Sequence, residues 1–255
     1  DNQTMSTIVG NNTKALKKGD PEPPLVPGVA RIYGMRFCPW AERVVLYAAA
    51  KGMNVEIVNI NLMNKPEWYY NKQPQGRVPA FEKDGKIVVE SAIIPEYLDA
   101  LYPDSSILPT DPYLRAKQKI LLEQITPITS AFYGLSSIIR DNLEGEARDE
   151  KIKEAGAIID GIEKLLTDEY FGGSTTGYVD WMILPFFERL THLSTVLSLP
   201  SPFPCSSSSS RWPSLSSWFT RISSHSPSLF FQPMNLHVEF FKSFVGGNPD
   251  YDIGI

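Results

Sequence analysis

Arg36-Phe37-Cys38-Pro39-Trp40-Ala41-Glu42-Arg43 stands between the apolar run Val29-Ala30-Arg31-Ile32-Tyr33 and the apolar-rich segment from Val44 to Ala50. The first run predicts a strand, about Val29 to Gly34, and the second a helix from Pro39 to Lys51. Proline at the first helical position loses nothing, because the amide it lacks has no intrahelical partner there. Pro39 therefore starts the helix and Cys38 is its N-cap. A thiolate so placed meets unpaired backbone amides and the positive end of the helix dipole. Together these can bring a cysteine pKa from about 8.5 to roughly 3.5–7.5. Cys38 is expected to be partly ionised at neutral pH and is the candidate catalytic nucleophile.

A C-x-x-C motif would supply a second thiol one turn further on, but Ala41 holds that place. A resolving thiol must come from outside, and free glutathione is the simplest source. The motif thus points to a monothiol cycle in which Cys38 and glutathione exchange disulfides.

With 255 residues, 42% of them hydrophobic, the chain can bury a full core and divides into two domains. A net charge of −5 without a basic stripe excludes nucleic acid as the main partner. Two cysteines, Cys38 and Cys205, make no disulfide framework and fit a reducing, cytoplasmic compartment. No apolar run approaches the roughly 18–20 residues of a membrane span, so no stable membrane insertion is expected. The sequence starts at Asp1 and carries the sequons Asn2-Gln3-Thr4 and Asn11-Asn12-Thr13, which leave a secreted form open. No metal motif is evident, and no metal is expected.

Residues 1–28 form an extended proline-rich arm, incompatible with helix at Asp20 to Gly28. Gly52 stops the first helix, and Val55 to Ile60, β-branched and alternating, reads as a second strand. A short helix begins at Pro66. Val78 to Glu82 and Lys86 to Val89 form a hairpin about Lys83-Asp84-Gly85, and Ser91 is the expected cap of a helix from Ala92 to Leu101. The order βαβαββα over residues 29–102 is the thioredoxin type. Proline inside a strand is tolerated only at an edge, a strand start or a ligand contact; a cis Val78-Pro79 peptide would turn the Val78 backbone outward as an edge for a ligand, and an ordinary edge-strand proline is the alternative.

A linker spans residues 103–112, and residues 113–255 read as all helix. Within it Tyr113 to Arg140 is expected to kink at Pro127. Glu146 to Phe171 reads as one amphipathic helix and Asp180 to Leu190 as an aromatic-rich central one. Pro200 to Ser210, with Cys205 and the run Ser206 to Ser210, reads as a low-complexity surface loop. Helices resume at Trp212-Pro213 and from about Pro233 to Val245, where Phe244 is a candidate for lining an apolar substrate pocket.

These features together resemble the glutathione transferases, and within them the omega class. The resemblance rests on Met35 to Arg43, Asn64-Lys65-Pro66-Glu67-Trp68, Val78-Pro79, Glu90-Ser91 with Glu96-Tyr97-Leu98-Asp99, Leu108 to Pro112 and Phe186-Phe187-Glu188-Arg189. It implies a thioredoxin-like domain followed by an all-α domain, and a homodimer. It also implies a mixed disulfide of Cys38 with glutathione, with Phe37 and Pro39 beside it. Lys65 would meet the glycine carboxylate, the Val78 backbone the cysteinyl unit, and Glu90 with Ser91 the γ-glutamyl end.

Implied activities are thiol transfer to small oxidised or disulfide substrates and dehydroascorbate reduction, in a stress-response setting. Conjugation to electrophiles is expected to be weak, since a cysteine replaces the usual hydroxyl donor and Tyr33 sits inside a strand. One departure is Gly177, where the family has Ser or Thr capping the helix near Asp180; it gives up half of a capping box. The alternatives are a non-catalytic relative: the soluble form of an intracellular chloride channel, against which Lys51 interrupts the apolar helix, or a binder of apolar ligands.

Overall fold

The structure, a computed structural model, describes residues 7–199, 211–225 and 232–255. The Asn2 sequon, and Cys205 with the serine run Ser206 to Ser210, lie outside the described residues. The chain forms two compact units. The first holds residues 7–107, Gln232 and Asp250–Ile255; the second holds 108–199, 211–225 and 233–249.

The first unit is built on a five-stranded mixed sheet of β1 (Ile8–Val9), β2 (Ala30–Gly34), β3 (Val55–Asn59), β4 (Ala80–Lys83) and β5 (Lys86–Val89). Its order is β1-β3-β2-β4-β5. The strand pair β2–β3 is parallel, and the crossover between them is α1 (Pro39–Ala50). β4 runs antiparallel to both β2 and β5. β2 is buried along its whole length, as a strand central to its sheet must be. The short helix at Pro66 is a 3-10 helix, Glu67–Asn71, and α2 (Ile93–Leu101) closes the unit.

Strand β1 adds to the expected pattern. The arm pairs with β3 through Ile8 and Val9, and Leu16 makes a further parallel bridge to Ile60. The proline-rich part is held by Arg31, fully buried, whose Nη1 and Nη2 donate to the carbonyls of Pro23 and Pro24 at 2.8 and 2.7 Å while Nε donates to Glu56 at 2.9 Å. Proline cannot donate, but its carbonyl still accepts, so a buried guanidinium fixes a segment that makes no ladder of its own. The Asn11 sequon is folded into a turn: the Thr13 hydroxyl donates to the Gly10 carbonyl at 2.8 Å, and Asn59 Nδ2 donates to the carbonyls of Gly10, Asn11 and Thr13.

The second unit contains, among the described residues, only helices: α3 (Pro112–Ile125), α4 (Ile128–Arg140), α5 (Gly145–Glu163), α6 (Tyr178–Val196), α7 (Pro213–Ser223) and α8 (Met234–Val245). Pro127 separates α3 from α4 instead of kinking one helix. Proline removes an amide and clashes with the carbonyl four residues back, and here that ends the hydrogen-bond ladder. Helix α5 stops at Glu163, short of Phe171. Its terminal carboxylate accepts the amides of Ser214 and Leu215 at 2.8 and 2.9 Å, capping α7 from a distance.

Helix α6 is buried from Tyr178 to Leu190 and forms the core of this unit. Asp180, fully buried, accepts from the amides of Phe171, Gly172 and Gly177 and from Trp218 Nε1, all within 2.7–2.9 Å. Half of the capping box is therefore intact, the half that Asp180 supplies. The glycine has its own cause, because a Cβ at Gly177 would lie 2.8 Å from Gly172 Cα, and one at Gly172 would lie 2.5 Å from Gly177 N. Close approach of two backbones excludes a side chain at either place. Gly177→Ser is accordingly expected to lower stability by about 1–3 kcal/mol, the overpacking exceeding what a side-chain cap returns. A urea midpoint moving to higher concentration in this variant would contradict that reading.

Candidate active site

Pro39 opens α1, and Cys38 takes the N-cap position with extended backbone, φ −83° and ψ 116°. Its carbonyl accepts the Glu42 amide at 3.0 Å, the first turn of the helix, and its amide donates to the Met35 carbonyl at 2.9 Å. Cys38 is 9% exposed. Phe37 and Pro39 on either side are buried, and the Arg36 guanidinium lies over the Phe37 ring at 5.0 Å. Arg36 also donates to the Ile253 carbonyl at 2.7 Å and to Gln232 Oε1 at 3.1 Å, so the C-terminal segment braces the loop that carries the thiol. Burial raises the Tyr251 phenol above its ordinary value.

A cleft of about 390 Å³ in the first unit is lined by Trp40, Gln73, Arg77, Val78, Pro79, Glu90 and Ser91. The volume falls within the range of small-ligand sites. The Val78-Pro79 peptide is cis, and Val78 lies two residues before the first ladder residue of β4, Ala80. Glu90 has φ 75°, in the left-handed region that only glycine adopts without cost, and its side chain is exposed. Such strain costs on the order of 1–3 kcal/mol and concentrates at ligand clamps. The Glu90 carbonyl accepts the amides of Ile93 and Ile94, both at 3.0 Å, which fixes this residue at the entrance to α2.

Ser91 corrects the sequence reading. The N-cap of α2 is Ala92, and no side chain caps it. The buried Ser91 hydroxyl instead accepts from Arg43 Nη1 at 3.4 Å, and Arg43 stacks over Trp40 at 4.6 Å. Two α1 residues thereby meet the corner that follows β5. Arg43, Trp40, Gln73 and Arg77 are the residues the sequence reading did not single out. Trp40 and Arg43 lay inside the decisive motif and Arg77 next to Val78; Gln73 offered no local signal.

Of the predicted residues, the cleft gathers Val78, Pro79, Glu90 and Ser91. Cys38, Phe37, Pro39 and Lys65 lie outside its lining. Lys65 is half-buried, with its ammonium donating to the Leu62 carbonyl at 2.6 Å. Its stem runs close to Gly76, where a Cβ would come within 3.0 Å of Lys65 Cδ and Cε. One of three ammonium protons is used, and two remain for a carboxylate. Phe244, on α8, is 51% exposed, its ring centroid 6.1 Å from that of Phe240, and lines neither this cleft nor the small cavity beside Asn11 and Glu42.

Tyr33 is wholly buried and its hydroxyl donates to Glu82 at 2.5 Å; burial first, then this bond, pushes it up to about 12. Among the described residues no helix is long and apolar enough to cross a membrane.

The Glutathione S-transferase, N-terminal domain, matches residues 28–100. Glutathione transferase omega-1 of Caenorhabditis elegans is 40% identical over 254 residues, covering 97% of this chain and 99% of its own length. The probable glutathione transferase omega-2 of Caenorhabditis briggsae is 42% identical over 257 residues, covering 98% and 100%. Glutathione S-transferase omega-1 of Sus scrofa is 41% identical, covering 72% of this chain and 77% of its own. In fold the chain is similar to glutathione transferase Omega 3C from Trametes versicolor, with TM-score 0.72 at 19% identity over 88% of this chain and 94% of that one. A cysteine-capped helix on a thioredoxin-like sheet, followed by helices and matched almost end to end by such relatives, makes this chain a member of the glutathione transferases, of the omega type.

Proposed function

We propose that the chain is a glutathione-dependent thiol transferase and dehydroascorbate reductase, with Cys38 as its nucleophile. The observation that carries the reading is Cys38 at the N-cap of α1 with Ala41 where a second thiol would stand. The Cys38 thiolate attacks the glutathione sulfur of a mixed disulfide. A Cys38–glutathione disulfide forms, and the substrate leaves as its thiolate. A second glutathione thiolate then attacks the glutathione sulfur of that adduct, releasing Cys38 and glutathione disulfide. With dehydroascorbate, two glutathiones supply the two electrons and two protons of the reduction and leave as the disulfide.

In this reading the cleft holds the tripeptide. Glu90 and Ser91 take the γ-glutamyl ammonium and carboxylate, the Val78 backbone pairs with the cysteinyl unit, and Lys65 faces the glycine carboxylate. Arg77 adds positive charge at the cleft, suited to a ligand with two carboxylates. Conjugation to electrophiles is weak here, because Tyr33 already donates its proton to Glu82 and cannot serve the glutathione sulfur. The protein works as a homodimer, which sedimentation can check.

Incubation with a glutathionylated peptide tests the reading: intact mass should show one glutathione on Cys38, discharged by free glutathione. A protein that binds glutathione but never carries the adduct would overturn it. Ser91→Ala is expected to raise KM for glutathione about tenfold with a smaller change in kcat, the worth of one charge-assisted hydrogen bond. An unchanged KM would remove Ser91 from the binding site.

A further inference from the structure

The second unit contains a buried cluster that the thiol chemistry does not use. Glu188 and His192 lie four residues apart on α6, hence on one face, and His237 on α8 faces them. One potential ligand atom from each lies within 4.8 Å of the others. Glu188 is 3% and His237 6% exposed, and the enclosed Nδ1 of His192 has no hydrogen-bond partner.

Within the cluster His237 Nε2 stands 3.7 Å from Glu188 Oε1. That is too long for a hydrogen bond. It is close to the roughly 3.3–3.5 Å between donor atoms that share a tetrahedral zinc ion at bond lengths near 2.0–2.1 Å. The imidazole rings of His192 and His237 are neighbours, with centroids 4.8 Å apart. The carboxylate is divided between two duties. Its Oε2 takes the Arg189 guanidinium, which also donates to the Pro185 carbonyl at 3.2 Å, while Oε1 is the oxygen near His237. An outer partner that fixes a ligating carboxylate in this way is usual at metal sites.

We propose that Glu188, His192 and His237 bind one divalent transition-metal ion of the zinc type, pinning α8 to α6. Two imidazoles and one carboxylate suit such an ion, and calcium or magnesium would need more oxygen ligands. Three protein ligands leave a fourth position for water or a small anion. The sequence alone predicts no metal, because no spaced motif contains His237. The proposal is independent of the glutathione reading.

The test is equilibrium dialysis of the full chain, stripped of metal and glutathione, against zinc, with cobalt as the spectroscopic probe. One equivalent should bind, cobalt should give visible d–d absorption, and zinc should raise Tm by several degrees. His192→Ala and His237→Gln are each expected to weaken binding at least tenfold and to abolish the Tm rise. Cys38→Ser/Cys205→Ser should bind as the parent does. No saturable binding by the parent would overturn the proposal. So would binding unchanged in both histidine variants, or binding lost with the two thiols. If His237→Gln fails to fold, His192→Ala, at a less enclosed position, decides between the same outcomes.

Discussion

Cys38→Ser is expected to lower glutathione-dependent reduction of a mixed disulfide and of dehydroascorbate by about a thousandfold or more, down to the uncatalysed rate. The reason is chemical. A serine hydroxyl is not ionised at neutral pH and cannot form a disulfide, so neither half of the cycle has a path through residue 38. The fold should be unaffected, since a side chain of similar size takes its place and the backbone bonds of residue 38 to Met35 and Glu42 are kept. Glutathione affinity should stay within a fewfold, because the cleft residues Val78, Glu90 and Ser91 are untouched. Steady-state rates, intact mass after exposure to a mixed disulfide, and glutathione binding read the three expectations separately. Residual activity near that of the parent would move the nucleophile elsewhere in the chain. Inactivity of the parent with intact glutathione binding would favour a non-catalytic member of the family.

Asp99→Ala should have the largest effect on stability, a loss of about 3–5 kcal/mol. Lys51 and Asp99 are 0% and 1% exposed at their side chains and meet at 2.7 Å. The pair is fully served: Lys51 Nζ also donates to the carbonyls of Tyr102 and Ser105 at 3.2 and 2.7 Å, and Asp99 accepts from Tyr47 Oη at 2.7 Å and from the Ile107 amide at 3.2 Å. Removing the carboxylate leaves a buried ammonium with carbonyl partners only, whose desolvation nothing offsets. A domain stable by 5–15 kcal/mol in all would lose a large part of its margin. Urea unfolding followed by tryptophan fluorescence measures this. The double variant Lys51→Met/Asp99→Leu should recover much of the loss, because it removes both charges together. A single variant within about 1 kcal/mol of the parent would show that water reaches the pair.

The same lysine marks where reading the sequence stops. Lys51 reads locally as an interruption of an apolar helix; in the structure it is the C-cap of α1, and its partner lies 48 residues away. Cys38-Pro39, Gly52 and the Lys83-Asp84-Gly85 turn could be read because each acts on its own stretch of backbone: a missing amide, a position that favours glycine, a hairpin. The thioredoxin-like order and the helical second half followed from the period of apolar residues, which is also local.

Ser91 shows the limit of that reasoning. A serine before a helix is a good cap by propensity, yet Arg43 from α1 takes its hydroxyl. Gly177 shows it again, because the backbone of Gly172, five residues back, sets a steric condition that no capping preference expresses.

The sequence by itself determined the strand-to-helix junction at Cys38 and the order of elements that follows it as far as α2, since these depend on residues within a turn or two of each other. Only the tertiary structure decided that the arm adds strand β1 and that Arg31 holds its prolines. It alone brought Gln73 and Arg77 into the cleft with Glu90 and His237 to Glu188 and His192. Such meetings join side chains far apart along the chain, and they are fixed by the packing of whole elements, which no stretch of neighbouring residues encodes.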